Sequence, residues 1–281
     1  MKVIVTGASG LVGRAVVSHV AGEGKTVLGF NHGGLDISDE VAIENALVSE
    51  RPDVVVNCAA WTDVDGCESD REHALAANAQ GPELLALACR KIDALLIHIS
   101  TDYVFDGTKQ GFYTQADEPN PISIYGISKL EGERRARAAW ARTIIVRSGY
   151  IFGPGGTNFL SSLIARASRG EPLKAIMDAQ GTPTYAPDLA SRILDLASLD
   201  RPDIYHVVNA GDGVSFADFA ASALEKAGFD EDLLQPITLD SLGRPARRPR
   251  NSRLRCLVSN ALGLEPLPYW QDSLSQFIAA D

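Results

Sequence analysis

Two side chains with acid–base chemistry lie four residues apart in the segment Tyr125-Gly-Ile-Ser-Lys129. Positions i and i+4 of a helix project from one face, so the phenol and the ammonium would stand side by side. A free tyrosine has a pKa of about 10, and a neighbouring cation lowers the pKa of the phenol because it stabilises the anion. The spacing therefore predicts a general acid at Tyr125, supported by Lys129.

A hydroxyl pair, Ser100-Thr101, follows the apolar run LLIHI upstream of that tyrosine. It would stand at the carboxyl end of a strand. A hydroxyl at that place holds a substrate carbonyl while a hydride reaches the carbon and Tyr125 protonates the forming alkoxide. The combination predicts a carbonyl reductase, provided that the chain also binds a hydride donor.

The first strand runs directly into the glycine-spaced turn Gly7-Ala-Ser-Gly10-Leu-Val-Gly13. A tight turn, a backbone that approaches a pyrophosphate and a helix packed closely on its strand each favour a residue without Cβ. The helix that follows presents free N–H groups to the diphosphate. The turn therefore predicts a dinucleotide site in an α/β fold of the Rossmann type.

The identity of the dinucleotide depends on the end of the second strand, which reads Phe30-Asn31-His32. Sites that prefer NAD usually have an acid there to bind the ribose hydroxyls. Arg14 could instead meet a 2′-phosphate, although an ordinary exposed helix residue explains it equally well. We favour NADPH and leave NADH open.

Short apolar runs alternate with helical patterns over the first half of the chain. Such runs are typical of strands covered on both faces, and their order predicts a doubly wound parallel sheet. Polar residues at the strand ends fall where such sheets bind ligands, at Thr6, Asn57, Ser100 and Arg147. The predicted strands are 3–7, 26–30, 53–57, 95–100 and 143–148, and the predicted helices are 11–22, 39–49, 71–91 and 125–140.

The alternation loosens after about residue 150. We therefore divide the chain into a dinucleotide-binding domain, 1–150, and a smaller substrate-binding lobe, 151–281, that partly returns to the first domain. The lobe is predicted to contain a loop at 153–158, a loop-rich segment at 171–187, a strand at 204–209, and helices at 159–170, 187–199, 216–228 and 269–279.

Composition limits the partners. A net charge of -10 and a pI near 5.0 argue against nucleic acid or an anionic membrane. The apolar runs are too short to span a bilayer, and neither the histidines nor the four cysteines show metal-ligand spacing, so we expect a cytoplasmic protein without a catalytic metal. The oligomeric state stays open, a homodimer included.

One segment is strongly basic although the chain as a whole is acidic. It has six arginines and no acidic residue between Arg244 and Arg255. Arginine suits phosphate oxygens, and Pro245 and Pro249 stiffen the segment. We therefore expect Arg248 to reach a substrate diphosphate, and a solvated loop is the alternative.

The chain resembles the dTDP-4-dehydrorhamnose reductase family of extended short-chain dehydrogenases over essentially its whole length. The segments that carry the resemblance are TGASGLVGRAV, RPDVVVNCAAWTDVDGCES, STDYVFDGT, PNPISIYGISKLEGE, DAQGTPT and PARRPRNSRL. The resemblance implies reduction of the 4-keto group of a nucleotide-linked 6-deoxy sugar, the last step towards dTDP-L-rhamnose.

By that resemblance the catalytic residues are Thr101, Tyr125 and Lys129. Those expected at the substrate are Thr101, Asp102, Tyr150 and, from the arginine-rich segment, Arg248. The cofactor-binding residues expected from the turn and the resemblance together are Gly7, Gly10, Leu11, Val12, Gly13, Arg14, Asn31, Asp36, Ile37, Ala59, Ala60, Trp61, Thr62, Tyr125 and Lys129.

Two departures from the family pattern affect specificity. Tyr150 stands where the family usually has tryptophan against the sugar, and Asn31 replaces an acid often found after the second strand. One alternative function is that of a non-catalytic NADP-binding subunit, since the regulatory subunit of methionine adenosyltransferase is also similar. Another is a sugar 4,6-dehydratase or 4-epimerase, although Tyr103 follows Asp102 where dehydratases have a second acid.

Overall fold

A computed structural model describes residues 1–156 and 158–280; Thr157, in the predicted loop at 153–158, and Asp281 lie outside the described residues. The strands are β1 (Lys2–Thr6), β2 (Thr26–Phe30), β3 (Val54–Asn57), β4 (Leu95–Thr101), β5 (Thr143–Ser148), β6 (Ile151–Phe152), β7 (Leu173–Ile176), β8 (Gln180–Gly181), β9 (Thr184–Tyr185), β10 (Ile204–His206), β11 (Val214–Ser215) and β12 (Leu234–Ile237). The α-helices are α1 (Leu11–Gly22), α2 (Glu40–Glu50), α3 (Val64–Ser69), α4 (Arg71–Leu75), α5 (Gly81–Ile92), α6 (Ile124–Ala139), α7 (Phe159–Ala167), α8 (Ala186–Leu199), α9 (Phe216–Ala227) and α10 (Trp270–Ala280).

Six strands form the central sheet in the order β10-β5-β4-β3-β1-β2. Each pair is parallel. The order reverses between β1 and β3, the topological switch point at which doubly wound sheets bind ligands. The predicted fold class, a Rossmann-type doubly wound sheet, is confirmed.

Alternate side chains of each strand enter two different cores, because successive residues of a strand face opposite sides. Val3 and Val5 pack with α1 and α8 on one face. Ile4 packs with α2, α5 and α6 on the other. Burial on both faces explains the continuous apolar runs in the sequence.

The chain beyond residue 150 contributes to this same sheet. β10 pairs with β5 at the edge, and α8 packs against α1 and the strands. Smaller two-stranded sheets pair β11 with β8, β12 with β7 and β6 with β9, and Gln180 of β8 forms a bridge with Asn251 of the arginine-rich segment. None of the helices described in 1–156 and 158–280 is long and apolar enough to cross a membrane.

The predicted helix at 71–91 is wrong in its continuity. A π-helical turn, Ala76–Gln80, separates α4 from α5. Pro82 has no N–H to donate to the carbonyl of Asn78, so the regular helical ladder is interrupted there. The predicted strand 204–209 also ends early, at His206, because Asn209 turns its side chain to the backbone N–H of Tyr185 at 2.7 Å.

Candidate active site

The glycine turn between β1 and α1 has no room for side chains at two of its three glycines. Gly7 has φ 66°, and a Cβ on it would lie 2.6 Å from the backbone N of Ala59. A Cβ on Gly13 would lie 2.2 Å from the carbonyl oxygen of Gly7. At Gly10 the nearest atom is that same oxygen, at 3.3 Å, so the absent side chain at Gly10 mainly leaves space above the turn. This cradle suits a pyrophosphate.

The segment after β3 forms a second wall of the site, and the glycine turn forms the first. Asn78, buried in the π-helical turn, fixes Trp61 from both sides: Trp61 N–H donates to Asn78 Oδ1 at 2.8 Å, and Asn78 Nδ2 donates to the Trp61 carbonyl at 3.0 Å. Asn78 Nδ2 also donates to Ser128 Oγ at 3.0 Å, which ties the segment to α6. Sequence reasoning missed Asn78, although a lone amide inside an apolar helical pattern was the available signal.

A cavity of about 290 Å³ lies where these walls meet the ends of β4 and β5. It brings together the three predicted catalytic residues, two further predicted substrate residues and part of the predicted cofactor set. From those sets the lining contains Val12, Ala60, Thr62, Thr101, Asp102, Tyr125, Lys129 and Tyr150.

Tyr125 lies in the first turn of α6. Ser123 caps the start of this helix, since its hydroxyl accepts a hydrogen bond from Gly126 N–H at 3.2 Å. Burial raises the pKa of the Tyr125 phenol well above the usual value, although the nearby Thr101 hydroxyl opposes the shift. The predicted lowering of the Tyr125 pKa by Lys129 is therefore wrong for this structure, because the ammonium is held elsewhere and burial dominates.

Lys129 is 2 % exposed, and its Nζ donates to the carbonyl of Ile99 at 2.7 Å. The same nitrogen lies 3.4 Å from His98 Nε2. Burial lowers the pKa of Lys129 to about 8, and the Coulombic effects of Glu133 and Cys58 oppose that change.

Asp102 is a further acid–base group of the cavity. Thr101 Oγ1 donates to its Oδ1 at 3.0 Å, whereas Oδ2 makes no hydrogen bond within the described chain. Burial raises its pKa to about 6, although the nearby Ser252 and Thr101 hydroxyls oppose the shift. Gly149 permits this burial, since a Cβ there would lie 2.4 Å from the carboxylate.

Tyr150 follows β5 with φ 45°, in the left-handed region. Its ring stacks on Phe216 with centroids 4.0 Å apart, and its hydroxyl lies 3.5 Å from the Ala179 carbonyl. Gly181 packs closely against the Tyr150 ring, since a Cβ on Gly181 would lie 2.2 Å from a ring carbon. The aromatic wall is thus fixed by its neighbours.

The remaining predicted cofactor residues lie outside this cavity. Arg14 is exposed, and its Nε donates to the Ser9 carbonyl at 2.7 Å. Asn31 and Asp36 each accept hydrogen bonds from their own turns, from Gly34 and Ser38. The side chain of Ile37 is buried in the core against Gly81, so only its backbone is available to a ligand.

The arginine-rich segment carries less free charge than predicted. Arg248 makes a bidentate ion pair with Asp65, with both N–O distances 2.9 Å. That hydrogen bonding lowers the pKa of Asp65. Arg250 pairs with Asp178 and Asp240.

A second cavity, of about 590 Å³, is bordered by this segment, Asp106–Thr108 and Leu239–Asp240. Arg248 lines the second cavity and lies near Tyr103, which lines the first, so the two cavities are adjacent. Arg247 lines the second cavity, is exposed, and has no ion pair among the residues that the structure describes.

A buried ion pair that sequence reasoning did not recognise lies beneath the site. Glu133 accepts from Arg147 at 2.9 and 2.6 Å, and Ser100 Oγ donates to Glu133 at 2.5 Å. Both charged side chains are 3 % exposed. The pair joins α6, which carries Tyr125, to the end of β5, and Arg147 had been noted only as a polar strand end.

The family described as RmlD substrate binding domain matches residues 1–281. A dTDP-4-dehydrorhamnose reductase of Streptomyces griseus is 38% identical over 283 residues, 99% of this chain and 93% of that protein. The chain belongs to the dTDP-4-dehydrorhamnose reductase family.

Solved structures of this family are also similar. The dTDP-4-dehydrorhamnose reductase of Clostridium acetobutylicum superposes with a TM-score of 0.95 at 35% identity, covering 100% of this chain and 99% of that one. That of Bacillus anthracis, in complex with NADP, superposes with a TM-score of 0.96 at 31% identity, covering 100% of both chains. The comparisons favour the reductase over the regulatory subunit.

Proposed function

We propose that this protein reduces the 4-keto group of a nucleotide-linked 6-deoxy sugar with NADPH, as in the formation of dTDP-L-rhamnose. The observation that carries the proposal is the single cavity lined by Thr101, Tyr125 and Lys129, beside a glycine cradle that suits a pyrophosphate. The family relatives named above support it, since they are dTDP-4-dehydrorhamnose reductases.

NADPH would supply the hydride. The glycine turn with Leu11 and Val12 would hold its pyrophosphate, Ala59–Thr62 would line the nicotinamide side, and Asp36 with the Ile37 backbone would lie near the adenine. The exposed Arg14 and the absence of an acid at Asn31 favour the 2′-phosphate, and the relative from Bacillus anthracis binds NADP. NADH is the less favoured alternative.

At the reacting carbonyl, the Thr101 hydroxyl and the Tyr125 phenol both line the cavity. The substrate oxygen would take the place between them, and Tyr125 would give it a proton as negative charge develops there. Asp102 and Tyr150 line the same cavity, so Asp102 would bind a neighbouring sugar hydroxyl and Tyr150 would support the sugar ring.

The substrate diphosphate would lie towards the second cavity. Arg248, whose motion is limited by its ion pair with Asp65, would contact the diphosphate there, and Arg247, which makes no ion pair with the residues that the structure describes, lies on the same cavity wall. Arginine binds phosphate through parallel N–H donors, so a rigid arginine favours one orientation of the nucleotide.

The test is a panel of nucleotide-linked keto sugars, each with NADPH and with NADH, followed by absorbance of the reduced nicotinamide and by product analysis. We expect oxidation of one NADPH for each dTDP-linked 6-deoxy sugar reduced. Product formed without net oxidation would indicate an epimerase or a dehydratase. Tight NADPH binding without turnover of any sugar would indicate a binding subunit.

A further inference from the structure

A row of buried polar side chains crosses the central sheet and ends at Lys129. Thr6 Oγ1 donates to Asn57 Oδ1 at 2.6 Å, and Asn57 Nδ2 lies 3.0 Å from His98 Nδ1. His98 Nε2 lies 3.4 Å from Lys129 Nζ. Thr6, Asn57 and His98 are each 0% exposed, so water does not compete for these contacts.

The hydrogen bonds determine where His98 carries its proton. The backbone N–H of Ala59 donates to Asn57 Oδ1 at 3.1 Å, and a backbone N–H only donates. This identifies the Asn57 oxygen and leaves Nδ2, a donor, facing His98 Nδ1. His98 Nδ1 must therefore accept. Burial and the charge of Lys129 hold the pKa of His98 well below its usual value, so the ring is neutral and its one proton is on Nε2.

That proton points at Lys129. An ammonium has three donors and no acceptor, so it makes no hydrogen bond to an imidazole N–H, whereas a neutral amine accepts one. The Ile99 carbonyl accepts from Lys129 in either form. The contact with His98 therefore favours the amine form.

Other ionisable groups around Lys129 act in the opposite direction or share the cavity. Glu133, one turn along α6, and Cys58, after β3, raise the pKa of Lys129, while burial lowers it to about 8. Tyr125 and Asp102 line the same cavity. Among these groups, His98 is the neutral donor that contacts the lysine nitrogen directly.

We propose that His98, oriented by Asn57, is a positioning residue that stabilises the amine form of Lys129 and so lets this lysine exchange its proton during turnover. The catalytic consequence rests on the proposed function. After Tyr125 has protonated the substrate oxygen, an N–H bond of the Lys129 ammonium breaks and its proton passes to water in the cavity that both residues line, and that water re-forms the phenol O–H bond. Lys129 is left as an amine that accepts from His98, and solvent restores its proton.

The tautomer is tested first on the unmodified chain without ligands. Nitrogen-15 NMR of the imidazole rings distinguishes a protonated from an unprotonated ring nitrogen, and His98→Gln assigns the signals. We expect His98 to be protonated at Nε2. His206 is an internal reference for the opposite tautomer, since its Nδ1 faces the carbonyls of Tyr113 and Arg255, both at 3.2 Å. A proton on Nδ1 of His98 would overturn the proposal, whether or not the chain reduces a sugar.

The effect on Lys129 is tested by the pH dependence of kcat/KM. The alkaline limb of the wild type should lie near the Lys129 pKa of about 8. His98→Leu removes the donor, so the limb should move upward by roughly half a pH unit or more, and His98→Gln, which keeps a donor, should restore part of the shift. His206→Gln is the matched control for loss of a buried ring and should leave the limb in place. A limb that does not move in His98→Leu, or moves downward, contradicts the proposal; if that variant does not fold, the tautomer measurement decides it.

Discussion

At the scale of single residues, burial determines the acid–base behaviour of the cavity more than neighbouring charge does. Burial raises the pKa of Tyr125 and of Asp102, and it lowers that of Lys129. The positions of these residues were predictable from the Tyr-x-x-x-Lys spacing and the strand end. The direction of the Tyr125 pKa shift was not, because it depends on how deeply the fold buries the phenol.

Asp102 gives a residue-scale prediction about stability. Its pKa rises from 3.8 in the unfolded chain to about 6 in the fold. Between these two pH values the native state therefore keeps a proton that the unfolded chain has lost. The free energy of unfolding therefore falls as pH rises through this window. Relative to Asp102→Asn, the wild type should lose about 1 kcal/mol between about pH 5 and about pH 7.5, measured by chemical denaturation.

The control for this prediction is Asp106→Asn. Hydrogen bonds, chiefly from the Thr108 backbone, lower the pKa of Asp106 to about 2, so its contribution to stability is lost only at more acidic pH. Its difference from the wild type should stay flat across the same range. An Asp102→Asn difference that is equally flat would show that the Asp102 carboxylate is adequately solvated.

At the scale of elements, substitutions in the turn between β1 and α1 should affect stability and ligand binding separately. Gly13→Ala forces a Cβ to within 2.2 Å of the Gly7 carbonyl, whereas Gly10→Ala meets that oxygen at 3.3 Å. Gly13→Ala should therefore destabilise the protein by roughly 2 kcal/mol or more, and Gly10→Ala by less than about 1 kcal/mol.

Gly10→Ala should nevertheless weaken NADPH binding by about tenfold or more, because its methyl group enters the space over the helix N-terminus. Thermal unfolding and fluorescence titration with NADPH measure the two effects separately. Unchanged NADPH affinity in Gly10→Ala would mean that the dinucleotide does not approach this turn.

The buried ion pair between α6 and β5 gives a second element-scale prediction. Glu133→Gln leaves Arg147 buried without its counter-charge, so the free energy of unfolding should fall by roughly 3–5 kcal/mol. The double variant Glu133→Leu/Arg147→Met leaves no buried charge and should lose clearly less. Urea denaturation of both proteins compares them, and a double variant less stable than the single one would show that the pair itself is strongly favourable.

At the scale of the whole molecule, the main sheet was predictable because strands buried on both faces appear as continuous apolar runs. The two-residue strands β6, β8, β9 and β11 were not, since so few residues show no periodicity. The segment 171–187, predicted as loop-rich, contains β7, β8 and β9. The division near residue 150 stays a prediction; β10 and α8, from beyond that point, belong to the main sheet and its core.

Long-range pairing also explains which features of the site could not be predicted from the sequence. Asp65 and Arg248 are far apart in the sequence, and no local pattern connects them, yet their ion pair limits the charge that the arginine-rich segment offers to a ligand. Asn78 and His98 are likewise polar residues within apolar patterns, whereas Glu133 lies in a strongly charged stretch of α6. Their partners are set by which elements the fold brings together.

The most direct test of the account is the turnover of Tyr125→Phe with NADPH and a dTDP-linked 4-keto-6-deoxy sugar. Loss of the phenol proton should reduce kcat by at least about a hundredfold, while the dissociation constant for NADPH should stay within about threefold of the wild type. A kcat close to that of the wild type would contradict the assignment of Tyr125 as the proton donor.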